Sequence, residues 1–291
     1  MIFEGSCTAL ITPFDKSGNV NYQVLKQLVD RQIVSGTKAL VILGTTGEAA
    51  TITPEERKKI ISFVVTITAS KIPIIVGTGS NSTKIAVSFA KEAKALGASA
   101  CLVVTPYYNK CNQNGLYQHF KTIATESQIP IILYNVPSRT GVNLLPETVI
   151  KLSRIKNIVG IKEASGNLNQ IKDIILNTKS DFALYSGNDE LTLETILAGG
   201  KGVISVTGNC YPDLVDLECF FALNFDYKNA RRISNILYPI NKALFLDINP
   251  ICVKKYLQLM GINVGNPRLP LTSPNAKVIN KLKEIKKQYE N

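Results

Sequence analysis

Lys162 is the residue whose type and setting most directly suggest chemistry in this sequence. It follows the apolar run Ile-Val-Gly-Ile at residues 158–161, which predicts a short buried strand. A lysine at the end of such a strand either reaches water or is held in an enclosed site, where its amine can form an imine with a carbonyl compound. Because buried lysines are rare, this run alone favours the solvated lysine, and the decision depends on the rest of the chain.

Side chains suited to imine chemistry follow other apolar runs of the sequence. They are hydroxyl groups, phenols and one guanidinium, namely Thr45, Thr46, Tyr107, Tyr108, Tyr134 and Arg139. With an amine, this set suits a carbonyl substrate that bears a carboxylate. The amine forms the imine, a phenol moves protons, and threonine hydroxyls or turn N–H groups hold the carboxylate.

Each of these features also has a purely structural interpretation. The Gly-Thr-Thr-Gly sequence at residues 44–47 is typical of a tight turn between a strand and a helix. Tyr107 and Tyr108 could be aromatic residues of a subunit interface, and Arg139 could pair with a surface carboxylate. The Gly-Thr-Gly sequence at residues 77–79 lacks the third glycine of a dinucleotide fingerprint, so a Rossmann site is not expected.

The composition excludes several classes of protein. A single histidine, His119, and six scattered cysteines with no Cys-x-x-Cys pair argue against a zinc site and a disulfide framework. No uninterrupted apolar stretch of eighteen residues and no signal peptide are found, so we expect a cytoplasmic protein without a membrane partner. The net charge of +11 leaves polyanion binding as an alternative, but its basic residues are dispersed and no nucleic-acid motif accompanies them.

Eight apolar runs alternate with helical patterns and predict the elements that position these residues. The predicted strands are 9–12, 39–43, 72–76, 100–104, 131–134, 158–161, 182–185 and 202–205. Buried strands that alternate with helices indicate a parallel sheet, and eight units favour a (β/α)8 TIM barrel over a doubly wound open sheet. We therefore expect an α/β fold with a barrel domain over residues 1–224 and a C-terminal helical extension over residues 225–291, packed on the barrel.

Three motifs resemble those of the dihydrodipicolinate synthase family. They are GTTGE at residues 44–48, YNVPSRTG at 134–141 and GIKEASG at 160–166. The resemblance extends through GVISV at 202–206, NPI at 249–251 and RLPL at 268–271, so it covers essentially the whole chain. The resemblance implies a homotetrameric lyase, a dimer of dimers, that condenses pyruvate with L-aspartate 4-semialdehyde on the diaminopimelate route to L-lysine. It implies no metal and no cofactor, since a covalent imine of pyruvate with Lys162 serves as the electron sink.

The same resemblance assigns roles to individual residues. Lys162 would form the imine, and Tyr134 would relay protons together with Thr45 and with Tyr108 from a neighbouring subunit. Pyruvate would be held by Thr46, by the backbone at Ile204 and by Gly187. Arg139 would bind the carboxylate of the semialdehyde.

Two alternatives concern function. Another class I pyruvate aldolase of the same barrel type, such as N-acetylneuraminate lyase, shares the tyrosine and the lysine, but Arg139 and the second threonine resemble the synthase. A non-catalytic barrel that binds keto acids is disfavoured because Tyr134, Arg139 and Lys162 are all present.

Some positions depart from the family pattern. Cys252 stands where the family usually has a second proline. Lysine-inhibited members use charged and polar groups on the segments after residues 48 and 81 to bind lysine, and this chain has Pro54, Arg57 and Ile85 where two histidines and a glutamate are typical. We therefore expect weak or absent inhibition by lysine, because the ammonium of lysine would be desolvated without a partner.

Overall fold

The computed structural model describes residues 1–289 of the chain, which form a closed barrel of eight parallel strands surrounded by helices. The strands follow one another around the barrel in chain order, and β1 pairs with β8 to close it. They are β1 (Gly5–Ala9), β2 (Ala39–Ile42), β3 (Ile74–Gly77), β4 (Ala100–Val104), β5 (Ile131–Asn135), β6 (Ile158–Glu163), β7 (Ala183–Ser186) and β8 (Gly202–Ser205). The predicted (β/α)8 TIM barrel is confirmed.

The helices cover the outside of the barrel and continue beyond its last strand. They are α1 (Tyr22–Val34), α2 (Pro54–Thr68), α3 (Thr83–Ala95), α4 (Gln113–Ser127), α5 (Pro137–Thr140), α6 (Pro146–Leu152), α7 (Leu168–Asn177), α8 (Thr192–Leu197), α9 (Pro212–Leu223), α10 (Tyr227–Leu244), α11 (Ile251–Leu259) and α12 (Ala276–Gln288). Short 3-10 turns lie at Ala49–Thr51, Asp189–Leu191 and Thr207–Asn209.

Two layers of apolar side chains hold this architecture together. One fills the inside of the barrel and includes Val41, Ile75, Ile132 and Ile204, all at most 1% exposed. The other lies between the strands and the surrounding helices. The strands are therefore buried on both faces. This is why their sequences are continuous apolar runs in which polar and apolar residues do not alternate.

The first strand begins earlier than the sequence predicted. We expected it at residues 9–12, but β1 ends at Ala9, because the parallel ladder pairs Cys7 with Ile204 of β8. Its sequence, Gly-Ser-Cys-Thr-Ala, is too polar to be recognised as a buried strand. Hydrogen bonds offset the burial of these polar groups, as when Ser6 Oγ donates to Asp216 Oδ1 at 2.7 Å.

Three helices follow the barrel and pack against it. Tyr256 on α11 shares a hydrogen bond of 2.9 Å with Tyr211 before α9, and Tyr289 donates to the carbonyl of Ile236 on α10. We propose residues 225–291 as the C-terminal extension, of which residues 290 and 291 lie outside the described chain. None of the helices within residues 1–289 has the length and hydropathy needed to cross a bilayer.

Candidate active site

Lys162 and Tyr134 lie side by side on adjacent strands. The register of β5 and β6 pairs Tyr134 with Lys162, and both side chains point toward the C-terminal end of the barrel interior. Lys162 is 5% exposed and Tyr134 is 8% exposed. The ammonium nitrogen lies 4.6 Å from the centroid of the tyrosine ring. The lysine is therefore enclosed, and the solvated interpretation of its sequence context is wrong.

A cavity of about 780 Å³ opens above this pair. It lies at the carboxyl ends of the strands, where active sites of this fold are built from the loops after the strands. Six of the eight residues that the sequence nominated line it, namely Thr45, Thr46, Tyr134, Arg139, Lys162 and Gly187. The cavity thus collects an amine, a phenol, two hydroxyls and a guanidinium in a space large enough for two small substrates.

The two remaining nominated residues do not line this cavity. Ile204 is completely buried in the barrel interior, and its side chain does not line the cavity. Tyr108 is 91% exposed, with a left-handed φ of 69°, and its side chain is not among those around Lys162 of its own chain. Its proposed role requires a neighbouring subunit.

The turn after β2 presents its two threonines differently. Leu43 before the turn and Glu48 after it both have φ of 55°, a left-handed conformation that is uncommon for residues with a side chain. Thr12 Oγ1 donates to the carbonyl of Gly47 at 2.7 Å and holds the turn in place. Thr45 is exposed to the cavity, and Thr46 is 3% exposed.

Two carboxylates are buried at the carboxyl ends of β6 and β7, and one of them, Asp189, interacts with the charge of Lys162. Asp189 accepts hydrogen bonds from the hydroxyl of Ser205 and from the backbone N–H of Val206, the latter at 3.0 Å. Glu163, next in sequence to Lys162, accepts from Asn135 at 3.0 Å. Burial raises the pKa of both carboxyl groups, and the positive charge of Lys162 opposes this shift at Asp189.

Gly187 leaves the space that the lysine side chain occupies. A Cβ atom built at this position would lie 3.1 Å from Lys162 Cε and 2.6 Å from the Cβ of Ala164. Any other residue at position 187 would therefore displace Lys162 or the strand that carries it. This close approach, and not a left-handed φ, explains the glycine at this position.

The sequence reasoning missed the contribution of residues 245–249, which connect α10 to α11 and line the same cavity. Asn249 makes two contacts there. Its side-chain Nδ2 donates to Thr46 Oγ1 at 2.9 Å, and its carbonyl accepts from Arg139 Nη2 at 3.2 Å. The asparagine had been noted within a family motif, but no local pattern could indicate that it meets residues more than a hundred positions away.

A buried ion pair that the sequence did not predict anchors this connection. Glu48, directly after the threonine turn, forms an ion pair with Lys254 on α11, and both side chains are 1% exposed. Glu48 Oε2 also accepts the backbone N–H of Arg268 at 2.8 Å, and Lys254 Nζ lies 4.0 Å from the ring centroid of Phe14. Burial lowers the pKa of Lys254, and the Glu48 carboxylate opposes that shift.

Other polar groups have structural surroundings. His119 is 5% exposed on α4, its Nδ1 is 2.9 Å from Thr83 Oγ1, and neither residue lines the cavity. Burial lowers the pKa of His119 to about 4. Cys252 is completely buried at the start of α11. Over residues 1–289, no group of three or more His, Cys, Asp or Glu side chains is arranged to hold a metal ion.

Comparison with known proteins agrees with this geometry. The model of the dihydrodipicolinate synthetase family matches residues 2–289. A protein of Pseudomonas syringae pv. syringae (strain B728a), named 4-hydroxy-tetrahydrodipicolinate synthase, is 51% identical over 268 residues, which are 92% of each chain. The crystal structure of dihydrodipicolinate synthase from Thermotoga maritima has a TM-score of 0.98 and 42% identity, covering 100% of this chain and 99% of the other. DHDPS from Cyanidioschyzon merolae, solved with lysine bound, has a TM-score of 0.95 and 40% identity over 98% of this chain and 97% of the other.

Proposed function

Because the chain belongs to the dihydrodipicolinate synthetase family, we propose that its cavity condenses pyruvate with L-aspartate 4-semialdehyde through an imine on Lys162. The chain has the activity of a 4-hydroxy-tetrahydrodipicolinate synthase, a lyase of the class I aldolase type on the diaminopimelate route to L-lysine. The observation that carries the assignment of residues is the enclosed pair of Lys162 and Tyr134 beneath the cavity.

The first chemical step is the formation of the imine. The neutral amine of Lys162 attacks the keto carbon of pyruvate, and the oxygen leaves as water after it has been protonated. We assign the phenol of Tyr134 as the acid and base of this step, because its ring centroid lies 4.6 Å from the lysine nitrogen and the chain's one histidine lies outside the cavity. The protonated imine then withdraws electrons from the adjacent methyl group.

The second step forms the carbon–carbon bond. Loss of a methyl proton gives an enamine, which attacks the aldehyde carbon of the semialdehyde, and the aldehyde oxygen takes up a proton. The amino group of the semialdehyde then displaces Lys162 from the imine carbon and closes the ring. In this scheme Arg139 binds the semialdehyde carboxylate, and Thr45 passes protons between Tyr134 and Tyr108 of a neighbouring subunit.

Pyruvate itself is held through its carboxylate. We assign this contact to the hydroxyl of Thr46, with the backbone at Ile204 and at Gly187 close to the imine carbon. A buried hydroxyl that donates to a carboxylate makes a charge-assisted hydrogen bond, which is stronger than one between neutral groups.

Reduction with borohydride tests the imine. In the presence of pyruvate, we expect a reduced pyruvate adduct on the peptide that contains Lys162, and no adduct in the Lys162→Ala variant. An adduct on a different lysine would refute the assignment. A coupled assay that compares aspartate semialdehyde with N-acetylneuraminate tests the second substrate, and turnover confined to N-acetylneuraminate would favour the lyase alternative.

The role of Tyr108 requires an oligomer, which we propose is a homotetramer built as a dimer of dimers. The support is that Tyr108 is almost fully exposed and does not line the cavity of its own chain. Co-expression of Tyr108→Phe with Lys162→Ala tests this, because a mixed dimer contains one site with both groups intact. Activity well above that of either variant alone supports the shared site, and activity no higher than Tyr108→Phe alone contradicts it.

We also propose that the reaction needs no metal or external cofactor and takes place in the cytoplasm. The support for the first proposal is chemical, since the protonated imine is itself the electron sink. Activity that persists after dialysis against a chelator tests the first proposal, and cell fractionation tests the second.

A further inference from the structure

Asn249 joins the two groups to which we assign carboxylate binding. Its side-chain amide donates to Thr46 Oγ1, and its backbone carbonyl accepts from the guanidinium of Arg139. The residue is 5% exposed and lies more than two hundred positions after Thr46 in the chain. It therefore reaches the site only because α10 and α11 return to the mouth of the barrel.

The direction of the bond to Thr46 has a chemical consequence. A hydroxyl has one proton to donate and two lone pairs that accept. When the amide N–H of Asn249 occupies a lone pair of Thr46, the hydroxyl proton remains free for another acceptor. If Thr46 instead donated to a neighbouring side chain, a lone pair would face the carboxylate of the keto acid and repel it.

The oxygen atom of the Asn249 side-chain amide is also informative. Among the described residues, Asn249 Oδ1 is buried and has no hydrogen-bond partner. An asparagine that served only to stabilise the fold would be expected to pair both ends, because an unpaired buried acceptor is costly. Only the donor end of this amide is used by the protein, and that end contacts the substrate-binding threonine.

We propose that Asn249 is a positioning residue that orients the Thr46 hydroxyl with its proton toward the cavity, where it donates to the carboxylate of pyruvate. The inference rests on the proposed function. The contacts that support it are continuous: the ion pair between Glu48 and Lys254 anchors α11, Asn249 lies just before α11, and Asn249 sets Thr46.

Asn249→Asp is the sharpest test, because aspartate has almost the same shape but only accepts when it is ionised. The Thr46 proton would then turn toward the new carboxylate and away from the substrate. We expect KM for pyruvate to rise about 10- to 100-fold, the range for losing a hydrogen bond to a charged group. Asn249→Ala leaves the hydroxyl free to rotate, so its KM should rise less than that of Asn249→Asp.

A pH series separates this role from a general structural one. At low pH the carboxyl group introduced by Asn249→Asp is protonated and donates again, so KM of this variant should fall toward the wild-type value, whereas Asn249→Ala should show no such recovery. The other titratable or charged side chains that line the cavity are Tyr134, Lys162, Arg139 and Asp247, and they are the same in every variant. A rise in KM that is equal for both variants at every pH would overturn the proposal.

A double variant tests whether the effect passes through Thr46. In a Thr46→Val background the hydroxyl is absent, so Asn249→Asp should add only a small further increase in KM. An undiminished increase would mean that the new charge acts directly on pyruvate, which would contradict the proposal. Borohydride trapping of wild type distinguishes the failures: no adduct on Lys162 refutes the proposed function, and an adduct with a normal KM in Asn249→Asp refutes only the role of Asn249.

Discussion

Replacement of Lys254 by methionine should destabilise the protein far more than the loss of an ordinary surface lysine. Lys254 and Glu48 are each 1% exposed, and methionine preserves most of the apolar volume while it removes the charge. The carboxylate of Glu48 would keep only the N–H of Arg268, at 2.8 Å, as a partner. Removing one member of a buried ion pair costs about 3–5 kcal/mol, because the other charge stays buried without compensation.

This cost can be converted to a melting temperature. An unfolding entropy of about 2.1 cal/mol/K per residue gives roughly 0.6 kcal/mol per kelvin for this chain, so we expect Tm to fall by about 5–8 °C. Thermal unfolding followed by circular dichroism at equal protein concentration measures the shift. Lys26→Met is the matched control, because Lys26 and Asp30 form an exposed pair with 56% and 48% of the side chains accessible, worth less than about 1 kcal/mol.

The double variant Glu48→Gln with Lys254→Met decides whether the uncompensated charge is the cause. Glutamine is neutral and still accepts the N–H of Arg268, so the double variant should recover at least half of the lost Tm. A loss in the double variant as large as the two single losses together would refute the reasoning, as would a Tm shift of Lys254→Met no larger than that of Lys26→Met.

Three further outcomes follow from the structure. His119, the chain's single histidine, should give one NMR titration near pH 4. Because burial lowers its pKa from 6.5, the stability that its neutral form contributes is complete above pH 6.5 and is lost as the pH falls toward 4. A His119→Gln variant should therefore lose less stability than the wild type between these pH values. Gly187→Ala should slow borohydride trapping at Lys162 about 10- to 100-fold without unfolding the barrel, and an unchanged trapping rate would contradict the steric argument. Millimolar lysine should leave the steady-state rate nearly unchanged, because Ile85 supplies no carboxylate for its ammonium and the nearby Glu92 carboxylate is already paired with Arg57 at 3.0 Å; potent inhibition would disprove this.

The fold and much of the cavity could be predicted because their signals are local in sequence. Each of the strands β2 to β8 contains a short apolar run, and the chemical groups lie at the end of such a run or in the loop after it, so the order of runs and turns predicts both the barrel and the face that carries Lys162. The prediction was wrong at β1, where burial of Ser6 and Thr8 depends on partners such as Asp216, which no local pattern reveals.

What the sequence could not indicate is how the C-terminal helices enter the site. Asn249, Lys254 and Arg268 each contact a residue of the turn after β2. Asn249 donates a hydrogen bond to Thr46, 203 positions earlier, and the backbone N–H of Arg268 donates one to Glu48, 220 positions earlier. Lys254 forms its ion pair with the same Glu48. Hydrophobic periodicity predicts that α11 is a helix but not which loop it packs against. The prediction therefore identified groups that line the cavity and missed the residues that hold them in place.

This division has a physical reason. A group proposed to form or break a covalent bond must have a particular chemistry, and that chemistry is visible in the residue type, as it is for Lys162 and Tyr134. A group that orients another residue needs only a hydrogen-bond donor or acceptor in the right place. Many residue types supply one, so the sequence does not distinguish such a residue, and only its position in the fold shows its role. The left-handed Glu48 illustrates the point, because its carboxylate fixes α11 against the threonine turn while its backbone ends that turn. The helices after the barrel are accordingly part of the structure that sets the geometry of Thr46 and Arg139, and a barrel without them would retain Lys162 and Tyr134 but lose the contacts of Asn249 that orient Thr46 and Arg139.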